Sequence, residues 1–446
     1  MLDSIKYTDV QSFIEENQTT ILIIIFIFSF ILRAGWGVWE FSSLGTETWT
    51  DEWDYITYAE TILDKGLTFT EIAESKAWSI HPIGIGFPLL LAGFFSVFGG
   101  NYLLFIIFNA FISALIPLLI YHLGKEVFNT KVGLYAAIWA LFYIFFYRYV
   151  SHILKTYLIT TLFISTLLVY IKSLKSKETS IKYDIILSIL YSYLIHVDER
   201  YFFYFPFILI GYFIIGERNI QSRFKKSITT FSIIILLMIP WSIRNYLVFD
   251  RPVILTTRTA YYTDKILGYE DKKHYLSTSI YSLKIEPSLV DSINKGYNID
   301  SIPPQVHQNI RKGIKENLNP HNYSIFERWY KHSLAFFRPA RFKPLFIGKG
   351  FGLQGASSLR WNLLNLLCYG ILLPTFIYGG ILIIKNTDQY MILLLSLVLL
   401  QLLLHLLFIP YITQRYRIPI DPIIILISFY GFYHIISKFL FFFKAQ

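Results

Sequence analysis

Apolar residues recur along this chain in runs about as long as a lipid bilayer is thick. Ten runs stand out, over 19–39, 101–123, 132–148, 154–172, 182–197, 201–216, 226–247, 361–385, 389–409 and 418–440. About 20 residues of helix cross a hydrocarbon core, and each run is near that length, a few of them shorter. An eleventh, IGIGFPLLLAGFFSVF over 83–98, is short, rich in glycine and interrupted by Pro88. Between the first run and this one the pattern changes. Tyr55, Ile56, Ala59, Ile62 and Leu63 recur at helical spacing among polar residues, which predicts an amphipathic helix over 51–65 lying along a membrane surface. The stretch 248–360 is polar, with helix-like pieces at 306–318 and 323–337. No internal repeat and no inverted-repeat symmetry is visible.

The polar connections give the runs a direction. If 83–98 does not cross, then KEVFNTK (125–131), KSLKSKETSIK (172–182) and GERNIQSRFKK (216–226) lie on one side, and all three carry excess Lys and Arg. The positive-inside rule puts that side in the cytoplasm. The acidic segment 40–82 and the stretch 248–360 then face outward, and 83–98 is interfacial or re-entrant. The expected fold is an all-α polytopic bundle of about 10–11 transmembrane helices with outer juxtamembrane helices and a small extracytoplasmic insert. It divides into an N-terminal membrane module over 1–247 with a first outer loop at 40–100, the insert at 248–360, and C-terminal helices over 361–446. The first run lacks a basic leader and a small-residue cleavage site, so it is read as a retained anchor.

Composition agrees with this class. The chain is 54% hydrophobic and only 16% charged, with a mean hydropathy of +0.48, where soluble domains carry about a quarter charged residues. A net charge of +10 is explained by the basic loops, and no nucleic-acid partner is implied. The single cysteine, Cys368, forms no intrachain disulfide, and no Cys/His spacing suggests a metal.

Two groups of residues carry candidate chemistry. Three acids, Asp51, Glu52 and Asp54, follow the first run directly. Thr50 is a plausible N-cap, so Asp51 and Glu52 are either first-turn acids that complement the helix dipole or functional carboxylates. Asp54 reads as a solvated charge. The second group is cationic and falls at the predicted outer face. It comprises Arg148, His152, Lys155, Arg200, Arg244, Arg415 and Arg417. A single charge at a helix end more often snorkels than functions. Several on one face suit phosphate, which guanidinium groups bind in bidentate fashion. Nucleotide-activated donors are made in the cytoplasm, so an outer-face transferase needs a donor carried by a lipid. A polyprenyl-phosphate sugar fits. A carboxylate takes the acceptor hydroxyl proton, and cations stabilise the departing phosphate. No step obliges a cofactor. A divalent metal built from His81 or His152 with acids is open but has no ligand spacing in its favour.

The segment DEWDYITYAETILDKG resembles the first outer loop of the GT-C superfamily of polytopic glycosyltransferases, with Asp51, Glu52, Tyr55 and Ala59 at the matching places. HPIGIGFPLLLAGFFSVFG (81–99) is similar to a second juxtamembrane element of that family, with His81, Pro82 and Pro88 matching. LGKEVFNTKVGLYAA (123–137) is similar to its cytoplasmic turn, and PWSIRNYLVFDRPVIL (240–255) and RYRIPIDPIII (415–425) to further recurring segments. The nearest type is that of protein O-mannosyltransferases and aminoarabinose transferases, the family 39-like group. The resemblance implies a polyprenyl-phosphate sugar donor, transfer with inversion, Asp51 as base or acceptor-positioning group with Glu52 beside it, and no required cofactor. It also implies an acceptor that is a glycan, a lipid or a protein, and a multi-pass protein of a prokaryotic plasma (inner) membrane with its site outside, among membrane lipids.

The chain departs from the pattern at one place. Many relatives carry a second acid at the start of the fourth helix, where this chain reads SHILKTYLITT. Either Lys155 has become a phosphate contact, or the second acid is Asp198 or Glu199 in HVDERYFF. Asp198, Glu199 and Arg200 are equally read as a local ion-pair cluster. Tyr55, His81, Arg148, His152, Lys155, Asp198, Glu199, Arg200, Arg244, Arg415 and Arg417 are therefore candidates for substrate binding. Two other functional classes fit less well. An O-antigen-type polymerase or ligase would share the basic outer face without needing the acid-led helix. A transporter or flippase for an anionic lipid would place ionisable groups at mid-membrane, and the runs are almost free of them.

Overall fold

The computed structural model describes residues 16–44, 50–68, 84–176, 181–215, 220–249, 253–256, 329–330, 333–334, 336–338, 363–408 and 414–444. These residues build an all-α bundle. The helices are α1 (Gln18–Leu44), α2 (Thr50–Lys65), α3 (Gly86–Phe98), α4 (Tyr102–Val127), α5 (Thr130–Phe142), α6 (Thr156–Lys175), α7 (Lys182–Val197), α8 (Phe205–Ile214), α9 (Ile220–Phe249), α10 (Leu372–Asn386), α11 (Gln389–Phe408) and α12 (Asp421–Lys444). Seven of them, α1, α4, α6, α9, α10 with the turn before it, α11 and α12, are long and apolar enough to cross a membrane. The chain is an integral, multi-pass membrane protein.

Several expected spans are shorter than their apolar runs, for reasons that matter to the site. The run 132–148 is helical only to Phe142. Tyr143 is extended, at φ −72° and ψ 106°, and the chain then turns through a buried loop as far as Lys155. The run 201–216 opens with a 3-10 turn at Glu199–Tyr204, and α8 starts behind Pro206 in its first turn. Helix α3 has 13 residues, about 20 Å of rise, the same length as α5. A Cβ on Gly86 would stand 2.7 Å from the Val197 nitrogen, so only glycine lets α3 start against the end of α7. The Tyr193 hydroxyl donates to the Gly86 carbonyl at 3.2 Å across the same contact.

At the centre α4 packs against α1, α5, α6 and α12. The C-terminal pair α10 and α12 cross at glycines. A Cβ on Gly379 would stand 2.2 Å from the Ile427 carbonyl oxygen, and one on Gly431 2.3 Å from that of Thr375. Close backbone approach of this kind is how helices associate where the lipid is as apolar as leucine.

One ionisable side chain lies inside the first span. Arg33 is fully buried. Its Nε donates to Ser113 Oγ at 3.1 Å, one terminal nitrogen donates to the Ala140 carbonyl at 3.0 Å, and the other donates to the Ser29 carbonyl at 3.3 Å. Its guanidinium stands 4.7 Å from the Tyr147 ring centroid. The side chain thus joins α1 to α4, to α5 and to the loop that follows.

The bundle has two polar ends of different character. At one, Lys125 donates to Gln18, Lys175 pairs with Glu126 at 3.6 Å, and Lys226 donates to Ser173 and Ser176 beside buried Asp184. At the other end lie α2, the loop 143–155, the turn 198–204, residues 253–256 and the segment 414–420. Most of the stretch 248–360 lies outside the described residues.

Candidate active site

The loop 143–155 is the floor of the second end. Asn109 on α4 pins it, its side-chain amide donating to the carbonyls of Val150 and His152, both at 3.1 Å. Ser151 donates to Glu40 at 2.6 Å, which ties the loop to the end of α1. On this floor lies α2, with Tyr55, Ile56, Tyr58, Ala59 and Ile62 buried beneath it. The amphipathic spacing is what turns that face down.

Two candidates meet here. Glu52 and His152 are both buried, and His152 Nδ1 stands 2.7 Å from Glu52 Oε1. A carboxylate only accepts, so His152 Nδ1 is the donor in this contact. The backbone at Asp51 is helical, one turn before Tyr55. The side chain of Asp51, like all of His81, lies outside the described residues.

A second cluster forms where the ends of α6 and α7 meet. Asp198 is buried. It accepts from Arg200 Nε at 2.7 Å and from Arg200 Nη2, and pairs with Lys155 Nζ at 3.3 Å. Lys155 also donates to the Val197 carbonyl at 3.0 Å. Burial by itself pushes the Asp198 carboxyl up, but Arg200 and Lys155 outweigh it and hold the group well below the usual carboxylate range. Burial likewise works against the charge of Lys155, and Asp198, with Tyr55 and Glu199, more than restores it, raising its pKa. Glu199 is buried next to this cluster.

The two cations do not turn wholly inward. Side-chain exposure is 16% for Lys155 and 29% for Arg200. Together with Arg415, Tyr55, Tyr416 and Thr156 they line a shallow open recess. Tyr416 sets both arginines in place, its ring centroid 4.5 Å from the Arg200 guanidinium carbon and 5.6 Å from that of Arg415. Sequence reasoning passed over Tyr416, although an aromatic between two arginines in QRYR was a signal for it.

The remaining candidates lie elsewhere. Arg417 is fully buried, paired with Asp421 at 2.7 Å, donating to the Phe336 carbonyl at 3.2 Å and stacked 3.5 Å from the Tyr369 ring centroid. Arg244 donates to the Leu67 carbonyl at 2.8 Å, tying α9 to the turn after α2, and lies over Trp241. Arg148 lies against the Tyr149 ring. Among the described residues no group of three His, Cys, Asp or Glu side chains comes together as a metal site.

Known proteins resemble this chain in fold and over part of its sequence. Residues 81–243 match the model of a family described as dolichyl-phosphate-mannose-protein mannosyltransferase. The apo oligosaccharyltransferase of Archaeoglobus fulgidus superposes with a TM-score of 0.55 at 14% identity, over 96% of this chain and 51% of that one. The two chains share a fold. A second structure of the Archaeoglobus enzyme, AglB in complex with an inhibitory peptide and a dolichol-phosphate, gives 0.54 at 14% identity over 97% of this chain and 52% of that one. A third, the complex with Zn and sulfate, gives 0.53 at 15% identity over 94% and 50%. The chain thus spans about half the length of these structures. No curated protein sequence matches it.

Proposed function

We propose that the chain transfers a sugar from a polyprenyl-phosphate-linked donor to an acceptor hydroxyl at the extracytoplasmic face, with inversion. The observation that carries this reading is the recess where Lys155, Arg200 and Arg415 converge beside the acid-bearing helix α2. The match to a mannosyltransferase family and the dolichol-phosphate bound by the Archaeoglobus enzyme support it.

In this reading the donor phosphate lies among the three cations. The acceptor oxygen attacks the anomeric carbon from the face opposite the phosphate. Its proton passes to the Asp51 carboxylate, with Glu52 beside it held by His152. The bond between the anomeric carbon and the phosphate oxygen breaks, and its electron pair leaves on the phosphate, where Lys155, Arg200 and Arg415 stabilise the charge. Asp198 keeps Lys155 and Arg200 in register. The lysines at the other end of the bundle put that end in the cytoplasm by the positive-inside rule, so the recess opens outward. The membrane is a prokaryotic inner membrane, and the stretch 248–360 is an outer insert between modules 1–247 and 361–446.

The test is transfer from a synthetic polyprenyl-phosphate hexose or pentose by the purified full chain. Asp51→Asn is expected to lower turnover by about 10²-fold or more, the scale of a lost general base. Equal turnover by wild type and variant would remove Asp51 from the mechanism.

A further inference from the structure

Arg417 and Asp421 form an ion pair that stability alone does not explain. Their side chains are 1% and 0% exposed. A pair buried to that degree is often no more stabilising than apolar side chains of the same volume, and its best-attested use is to fix a register. What this pair can hold in register is the turn that brings Arg415 and Tyr416 to the recess.

That turn is tied through backbone and side chains together. Gln414–Tyr416 form a 3-10 turn. The Arg417 carbonyl then accepts from the Ile420 and Asp421 nitrogens at 2.8 and 3.1 Å, so the turn runs directly into α12. Arg417 Nε donates to Asp421 Oδ1 at 2.7 Å, and the Tyr143 hydroxyl, at the end of α5, donates to Asp421 Oδ2 at 2.8 Å. Arg417 Nη1 donates to the Phe336 carbonyl. Its guanidinium lies 3.5 Å from the Tyr369 ring centroid and 5.0 Å from that of Phe145. Tyr369 belongs to a short π-helical turn, Leu366–Gly370, just before α10. One side chain therefore joins α12, the end of α5, the floor loop and the approach to α10. In the turn itself Ile418 and Ile420 are fully buried, while Arg415, Tyr416 and Pro419 line the recess. A slip of one residue would exchange these two sets.

We infer that Arg417 and Asp421 are positioning residues for the donor phosphate. They hold the turn so that Arg415 lines the recess and Tyr416 stands against Arg200. The inference rests on the reading of the Lys155–Arg200–Arg415 recess as the phosphate site. Lys155 is held separately, by Asp198 and the Val197 carbonyl, so its contribution does not depend on the turn.

The experiment measures binding of a polyprenyl monophosphate to the full chain in detergent. The double variant Arg417→Gln/Asp421→Asn removes both charges and strands neither. It is expected to weaken binding about tenfold, close to the effect of Arg415→Gln. In a background of Arg415→Gln and Tyr416→Leu, the same two substitutions should add less than about twofold, whereas Lys155→Gln should keep its full effect there. A pair that only stabilised the bundle would lower the unfolding midpoint without this coupling. If the double variant binds within about twofold of wild type, or if its effect persists undiminished in that background, the positioning role is overturned and the phosphate reading stands. If Arg415→Gln and Lys155→Gln both leave binding unchanged, the phosphate reading is overturned, and the positioning role with it. Thermal unfolding of each variant checks its fold. Arg417→Lys keeps a charge beside Asp421 and loses the planar stacking on Tyr369. It carries the test if the double variant does not fold, with an expected loss of about threefold, and unchanged binding would overturn the role.

Discussion

Replacing Asp198 by asparagine removes one charge and almost no volume. The asparagine keeps an acceptor oxygen for Arg200, so what is lost is the electrostatic term. Removing one partner of a buried ion pair costs about 3–5 kcal/mol, because the other is left buried and uncompensated. Here the carboxylate side chain is 1% exposed while Lys155 and Arg200 are 16% and 29% exposed. Water reaches the cations in part, which lowers the expected cost to about 2–4 kcal/mol. In a chain of this size that corresponds to a fall in unfolding midpoint of roughly 2–4 °C. The assay is thermal unfolding of the full chain in detergent, for Asp198→Asn, Lys155→Gln and the double variant. The double variant should recover about 1–2 kcal/mol over the sum of the single effects, since it removes one of the stranded cations. A midpoint for Asp198→Asn within about 1 °C of wild type, or strictly additive single effects, would refute the view that Asp198 compensates both cations.

The same cluster fixes a pH response. The Asp198 carboxyl is lowered in the folded state, so its stabilisation is present above its unfolded pKa and is lost as pH falls through the lower folded value. Lys155 is raised, so its contribution is present below its unfolded pKa and is lost as pH rises through the higher folded value. The cluster should therefore contribute a flat stability from about pH 5 to pH 9, and a difference curve between wild type and Asp198→Asn that bends inside that range would count against it. Glu52→Gln keeps the contact with His152 but removes the charge, and is expected to lower turnover by about 10²-fold with little change in unfolding midpoint. Gly431→Val drives a branched side chain into the Thr375 carbonyl and should lower the unfolding midpoint by about 2 °C or more, roughly 2 kcal/mol. Transfer is expected to survive EDTA, since three cations line the phosphate recess. Loss of turnover restored by added Mg²⁺ or Mn²⁺ would overturn that expectation.

Much of the architecture was legible because hydrophobic period and loop charge are local signals. The spans, the short run at 83–98 and the amphipathic face of 51–65 all follow from residues near one another in the chain. What was not legible depends on distant partners. Arg415 and Arg417 stand two residues apart in one turn, yet one lines the recess and the other is sealed against Asp421 and Tyr369. Nothing in QRYRIP separates them. Glu52 and His152 were both candidates, but their contact across 100 positions is a property of the fold. Arg33 was hidden inside an apolar run whose helical nature was correctly read, and the expectation that the spans are almost free of charge missed it.

Arg33 also has a consequence for biosynthesis. Its two long-range acceptors lie 80 and 107 residues further along the chain. At roughly 5–20 residues per second the ribosome needs about 5–20 s to supply them. Through that interval α1 carries a guanidinium without its interhelical partners, a penalty of about 2.5–3.5 kcal/mol at mid-span. The isoleucines and phenylalanines of α1, whose mean hydropathy of 2.3 is among the highest of the spans, offset it. The first helix is thus apolar enough to insert alone, yet polar at one point, which marks it for capture by the next helix pair to arrive.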